Sequence, residues 1–266
     1  MSTYHSKKAK EFLKNPKKVE RHDRTFWSLR QKRDAAAAEL PEWEDLREHA
    51  SRIKEHTATH LADYLDQFSN SLERNGVIVH FAKDAQEFNE MVYGILESHK
   101  VKKLVKSKSM LTEECEMNPY LIKRGINVVE SDLGERILQL MHLKPAHIVM
   151  PAIHLTRDEI GEMFEEKGIS KEKGNHDPTY LTRCAREDLR GDFMDADAGL
   201  TGCNFGVAAT GDCVVCTNEG NADMSTSVPK LHIVAMGIEK VIPDYDSLAV
   251  FQRLLARSGT GQPSTA

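Results

Sequence analysis

"VIVHFAKDAQEFNEMVYGILESHKVKKLVKSKSM", Val77 to Met110, is the stretch whose reading decides the fold. It opens on an apolar, β-branched run, Val77–Ala82, of the kind that forms a buried strand. Asp84 stands where an N-cap belongs, ahead of an amphipathic stretch that reaches His99. "KLVKS" follows as a second strand. A strand, a helix and a strand in this order predict parallel pairing with the helix as crossover.

The alternation continues downstream. "TEECEMNPYLIKRG" reads as a helix opened by Thr112 and closed by Gly125, and "INVVES" as a strand. A short helix is expected from Gly134 to Met141, then a strand at "HIVMP" (His147–Pro151) and a helix at "TRDEIGEMFEEKG". After a polar loop, Gly168–His176, the stretch Pro178–Ala196 is helical again. Beyond Asp197 the glycines at 199, 202, 206, 211 and 220 suggest a hairpin-like meander joined to the sheet. "LHIVAMG" (Leu231–Gly237) is a late core strand, and "DYDSLAVFQRLLARSG" a closing helix. The fold class is α/β, a mostly parallel sheet flanked by helices.

Before Gly76 the chain is charged and helical. Pro16 and Pro41 sit where helices begin, and Asn75-Gly76 is a stop signal. From Trp43, the positions Leu46, Ala50, Ile53, Thr57, His60 and Tyr64 form one face of a helix, roughly 50 Å long if unbroken. The expected division is a helical N-terminal arm over 1–75, an α/β domain over 76–258, and a tail or truncated linker over 259–266.

A formal charge of −5 on 266 residues gives no general pull toward nucleic acid or anionic membrane. No apolar run is long enough to span a bilayer, and none resembles a signal peptide. Five scattered cysteines do not read as a disulfide framework, so a cytoplasmic protein is expected. Cys213 and Cys216 form a Cys-x-x-Cys pair, but their β-branched filling predicts a strand. Residues three apart on a strand point to opposite faces, which keeps the thiols apart. His56 and His60 make half a metal site on one helical face, or simply pack.

Loops at the carboxyl ends of parallel strands are where open α/β sheets collect ligands. "KSKSM" offers Lys106, Lys108 and Ser109 to an anionic oxygen, unless it is ordinary capping. "SDLGER" brings Asp132 and Glu135 toward the same crevice, or Asp132 caps its helix. "PAIH" places His154 just past a strand as a proton-transfer candidate. "TNEGNADM" holds Glu219 among Asn218, Gly220 and Asn221, with Thr210 and Gly211 in the preceding turn as further binding positions.

The motifs "KSKSM.TEE", "ESDLGE", "HIV.PAIH", "GLTG.NF.VA.TG", "TNEGN", "HI..MGIEK" and "LLARSGTGQP" resemble the LUD-domain family, over nearly the whole chain. Within it, the chain is similar to the iron–sulfur subunit of a bacterial complex that oxidises L-lactate to pyruvate. The resemblance implies a fold like that of the ribose-5-phosphate isomerase, CoA-transferase and formyltetrahydrofolate cyclo-ligase group. It also implies a continuation, past a "GQP" segment like Gly261–Pro263, into a ferredoxin-like domain carrying two 4Fe-4S clusters. This sequence stops there: either it is a piece of a longer protein or the natural protein lacks the cluster domain. In both cases cluster electron transfer is not expected of this polypeptide alone, nor a cofactor bound by motifs in it.

The leading reading is a subunit of a lactate oxidation system, partnered by the system's other subunits. Its crevice would hold a small anion: lactate, pyruvate or a phosphate-bearing cofactor. Glu219 and His154 are the catalytic candidates. No GxGxxG loop follows a strand, so a nicotinamide site is not indicated. Two alternatives compete: a docking module with no turnover, or an acyl-transfer or isomerase activity in which Glu219 forms an anhydride.

Overall fold

The structure, a computed structural model, describes residues 3–264; Met1 and Ser2 of the expected arm and Thr265 and Ala266 of the tail lie outside the described residues. Helices α1 (Thr3–Phe12), α2 (Pro16–Ala38), α3 (Trp43–Thr59) and α4 (Leu61–Arg74) make up the arm. The α/β part runs α5 (Ala85–Ser98), β1 (Lys103–Lys106), α6 (Met110–Glu114), α7 (Met117–Ile122), β2 (Asn127–Glu130), α8 (Leu133–Met141), α9 (Arg157–Glu166), α10 (Pro178–Met194) and β3 (Ala198–Gly202). It closes with β4 (Phe205–Val207), β5 (Asp212–Val214), α11 (Asn221–Ser227), β6 (Leu231–Ala235), β7 (Val241–Ile242) and α12 (Tyr245–Thr260).

The main sheet is parallel throughout, in the order β2-β1-β3-β6, with Leu104 level with Val128 on one side and Ala198 on the other. Alternation along the strands sends side chains to two layers. Leu104, Val128 and Leu200 pack under Val92 and Leu96 of α5 and Met117 and Leu121 of α7. Val105 and Val129 face the other way, onto Leu189 and Phe193 of α10. Each such side chain stabilises the fold by roughly 1.5–3 kcal/mol relative to exposure.

Two expected strands are not strands. Val77–Ala82 has no ladder partner, and Ile78 is 80% exposed. β-propensity measures fit to a half-buried pleated surface. Here only Val79 turns inward, against Phe68, Leu72 and Val241. At His147–Pro151 the chain instead folds around the His147 imidazole. Its Nδ1 accepts from the Val149 and Met150 backbone N–H groups, both at 3.1 Å, taking up donors a ladder would use.

Three further expectations are corrected in detail. The helix expected at 112–125 is two short ones, capped by Ser109 rather than Thr112, and Glu116 in a left-handed conformation separates them. The long arm helix breaks at His60, whose ring Nδ1 meets the His56 carbonyl at 2.9 Å and so caps α3. The meander divides: β3 stays in the main sheet, while β4 and β5 form an antiparallel hairpin that joins β7 in a second, three-stranded sheet. Phe68 and Leu72 of α4 seal that small sheet against Ala208 and Val241, and α12 packs on α2 and α3. Among the described residues no helix is long and apolar enough to cross a membrane.

Candidate functional site

Strands β1 and β2 lie in register, so Lys106 and Glu130 close them side by side. A buried charge needs a paired, hydrogen-bonded partner. Lys106 is 0% exposed, and its Nζ lies 2.9 Å from Glu130 Oε1 and 3.1 Å from Glu113 Oε1. Asn118 Nδ2 also donates to Glu130 Oε1. Burial alone would push the Lys106 pKa down, but the two carboxylates outweigh it and raise the value. Burial pushes Glu130 up, with Lys106 opposing. Lys106 is therefore turned inward and does not reach the rim as the sequence had suggested.

The rim itself is built on the first turn of α8. Asp132 caps that helix, its Oδ1 accepting from Glu135 N at 3.1 Å, while Leu133 N donates to Glu219 Oε2 at 3.1 Å. An exposed helix N-terminus offers free N–H groups to an anion, and here a carboxylate of the same chain holds one. Burial and then the Asp132 charge push Glu219 up; the Leu133 N–H and Lys108 oppose the rise. Lys108 Nζ donates to Val149 O at 3.1 Å, drawing the 147–151 loop to the same place. A Cβ on Gly134 would lie 2.7 Å from Pro151, and one on Gly202 would lie 3.2 Å from Ser109 Cβ, so the loops after β1, β2 and β3 are in contact there.

The expected residues divide between this place and others. Asp132, Lys108 and Glu219 come together at this rim, Glu135 on the same turn of α8 is buried, and Asn218 and Gly220 flank Glu219 in an exposed turn. Gly220, with φ of 73°, caps α11, and Asn221 Oδ1 accepts from Thr217 at 3.3 Å. The Ser109 side chain is buried and caps α6. His154 faces the arm: Arg21 donates to its carbonyl at 2.9 Å, and Lys18 pairs at 2.6 Å with Glu159, the carboxylate that opposes burial at the imidazole. Burial pushes the His154 pKa down. Thr210 and Gly211 lie at the far end of the β4–β5 hairpin, away from the rim. Asn75 Nδ2 donates to Thr210 O, and a Cβ on Gly211 would lie 2.7 Å from Leu72 N.

Sequence reasoning missed Glu113, Glu130, Lys18 and Arg21. Glu130 had a signal: it ends β2 as Lys106 ends β1, so opposite charges close two neighbouring apolar strands. The arm contacts join residues more than 130 positions apart and had none.

Cys213 packs into the small-sheet core and meets Cys203, whose hydrogen bond lowers the Cys213 thiol while Cys203 is raised. Cys216 lies past the end of β5, its N–H held by Asn204 Oδ1 at 2.8 Å. Among the described residues no group of three or more His, Cys, Asp or Glu is placed to hold a metal ion.

Comparison with known proteins follows the same lines. The chain is 46% identical over 239 residues to lactate utilization protein B of Bacillus pumilus, covering 90% of this chain and 50% of that protein. It is 44% identical over 238 residues to the protein of that name from an Exiguobacterium species, and 43% over 240 to that of Shouchella clausii, with the same coverage. The chain thus spans about half the length of the curated relatives it matches. No solved structure matches it at a significant level. The family model for the LUD domain matches residues 65–266, which include both sheets and the whole rim, and the chain belongs to that family.

Proposed function

We propose that this chain is the LUD-domain portion of a bacterial lactate utilization system and contributes to oxidation of L-lactate to pyruvate. In this reading the rim holds the small anionic hydroxy or keto acid. The observation that carries it is the convergence of Lys108, the α8 N-terminus and Glu219 at the carboxyl ends of parallel strands. A hydroxy acid must lose its hydroxyl proton and two electrons with the carbon-bound hydrogen. The chain's own part is the first of these: an ammonium to clamp the carboxylate and a carboxyl group to take the proton. No side chain accepts two electrons, so that acceptor comes from a partner subunit or from a cluster-bearing region of the kind the family resemblance implies. The expected setting is the cytoplasm.

Lys108 reaches the rim from the loop after β1 and donates there to the Val149 carbonyl, a bond that a ligand carboxylate can replace. Displacement of Glu219 from Leu133 N–H would free one helix-terminal donor for the same carboxylate. Isothermal titration of L-lactate and pyruvate into the chain tests this. Binding lost in Lys108→Ala supports the reading; saturable binding equally strong in the variant removes it. A docking role is favoured by one observation, the exposed apolar Ile78 and Phe81 on an unpaired extended segment. Tight association with partner subunits, without any acid binding, would select that role.

A further inference from the structure

Between the arm and the 147–151 loop lies a cavity that neither the rim nor the buried Lys106 pair uses. Helix α2 runs 23 residues and, among them, buries only Ala36. Its inner stripe is Phe26, Leu29, Arg30 and Arg33, spaced three and four apart on one helical face. These four wall a cavity of about 200 Å³, together with His147, Val149 and Met150 of the loop and the last turn of α12. That turn is fixed in place: a Cβ on Gly261 would lie 2.6 Å from the Lys32 backbone, so α12 ends directly against α2. None of Lys108, Asp132 and Glu219 lines the cavity.

We propose that this cavity is a second binding site, separate from the rim, for a small monocarboxylate that carries an apolar body.

Charge argues for the acid group. Arg30 and Arg33 stand 3.6 and 3.8 Å from one carboxylate, Asp34, so two guanidiniums share a single anion and keep an excess positive charge. At those separations neither is hydrogen-bonded to it, and their planar forks of N–H donors match a ligand carboxylate. His147 adds a donor of fixed identity. Its Nδ1 accepts from two backbone N–H groups, so the ring proton stands on Nε2. The carboxyl end of α12 would repel an anion. There, however, the N–H groups of Gly261 and Gln262 already take up the Ala256 carbonyl, at 3.1 and 3.3 Å. The remaining walls argue for the body. Phe26, Leu29, Val149 and Met150 are apolar, and Phe26 is braced edge-on against the His147 ring at 5.1 Å. A drug-sized ligand fills roughly 300 Å³ or more, so the occupant is smaller than that. Burial of a few apolar atoms beside an excess charge gives an affinity on the order of 1 mM.

Isothermal titration of benzoate into the chain tests the site, with benzyl alcohol as the neutral ligand of like shape. Saturable binding of benzoate is expected, about tenfold or more tighter than that of benzyl alcohol. Arg30→Gln combined with Arg33→Gln should weaken benzoate about tenfold or more and leave benzyl alcohol unchanged. Both side chains are exposed, so the fold is kept. Leu29→Trp, which fills the cavity, should abolish the binding of both ligands. No saturable benzoate binding, equal binding of the alcohol, or benzoate binding that both variants keep overturns the proposal. Benzoate binding that is lost instead in Lys108→Ala belongs to the rim and overturns it as well. Should Leu29→Trp not fold, the double arginine variant decides alone. The site does not rest on the rim reading, so failure of L-lactate and pyruvate to bind leaves this result intact.

Discussion

Replacing Lys106 with Met keeps the length and most of the volume of the side chain and removes its charge. Glu130 and Glu113 then lose the partner at 2.9 and 3.1 Å, with Glu130 buried and Glu113 partly open to solvent. Removing one member of a buried ion pair costs about 3–5 kcal/mol, because the remaining charge is stranded. That is a large share of the roughly 5–15 kcal/mol that stabilises a domain, and it lowers Tm by on the order of 10 °C. The cost depends on pH with a definite sign. Without Lys106, Glu130 is pushed further up and takes a proton when folded, so the loss is smaller near pH 5 and grows toward pH 8. Urea denaturation followed by circular dichroism at both pH values measures it. Lys106→Met combined with Glu130→Gln strands one carboxylate fewer and should recover about 2 kcal/mol. A single variant within about 1 kcal/mol of the unaltered chain, or a double variant no better than the single one, refutes the buried-pair account.

Other consequences are equally measurable. Glu135 has its folded pKa raised from 4.5 to about 7, so the neutral form is favoured by folding. Its contribution is full below pH 4.5 and lost as pH rises to about 7. The ceiling is ~3 kcal/mol, and solvent at the rim reduces it to about 2. Glu135→Gln should remove that slope from a plot of unfolding free energy against pH, and parallel plots would contradict it. Gly199→Ala would put a Cβ 1.8 Å from the Ser225 carbonyl oxygen, where backbone meets backbone. A loss of about 3 kcal/mol in chemical denaturation is expected, and a change under about 0.5 kcal/mol would show that α11 does not sit against β3.

The central sheet was legible because its strands carry unambiguous chemistry. "KLV", "NVV" and "LHIVA" are short, apolar and bounded by turn residues, and Asp84, Asp132 and Thr156 mark helix starts that the structure uses. The misread runs, 77–82 and 147–151, have equal β-propensity, but propensity does not say whether a neighbouring strand exists to pair with. His147 shows the competing force, a side chain that satisfies its own loop. At the rim, Asp132 and Glu219 were readable as polar residues after strands. The inward turn of Lys106 was not, since it depends on β1 and β2 ending level. The hold on the His154 backbone carbonyl by Arg21 of the arm is likewise contained in no local pattern.

That helix has a practical bearing on how the protein is cut. The match to the family model begins at residue 65, well after α2 has ended. A fragment started there would discard Lys18, Arg21 and Phe26, which respectively hold Glu159, the His154 carbonyl and the His147 ring. The segment that Lys108 grips from inside would then be unsupported from outside. Measurements on so short a fragment would describe a wall stripped of its buttress, and dissection of this protein should keep the whole amino-terminal third.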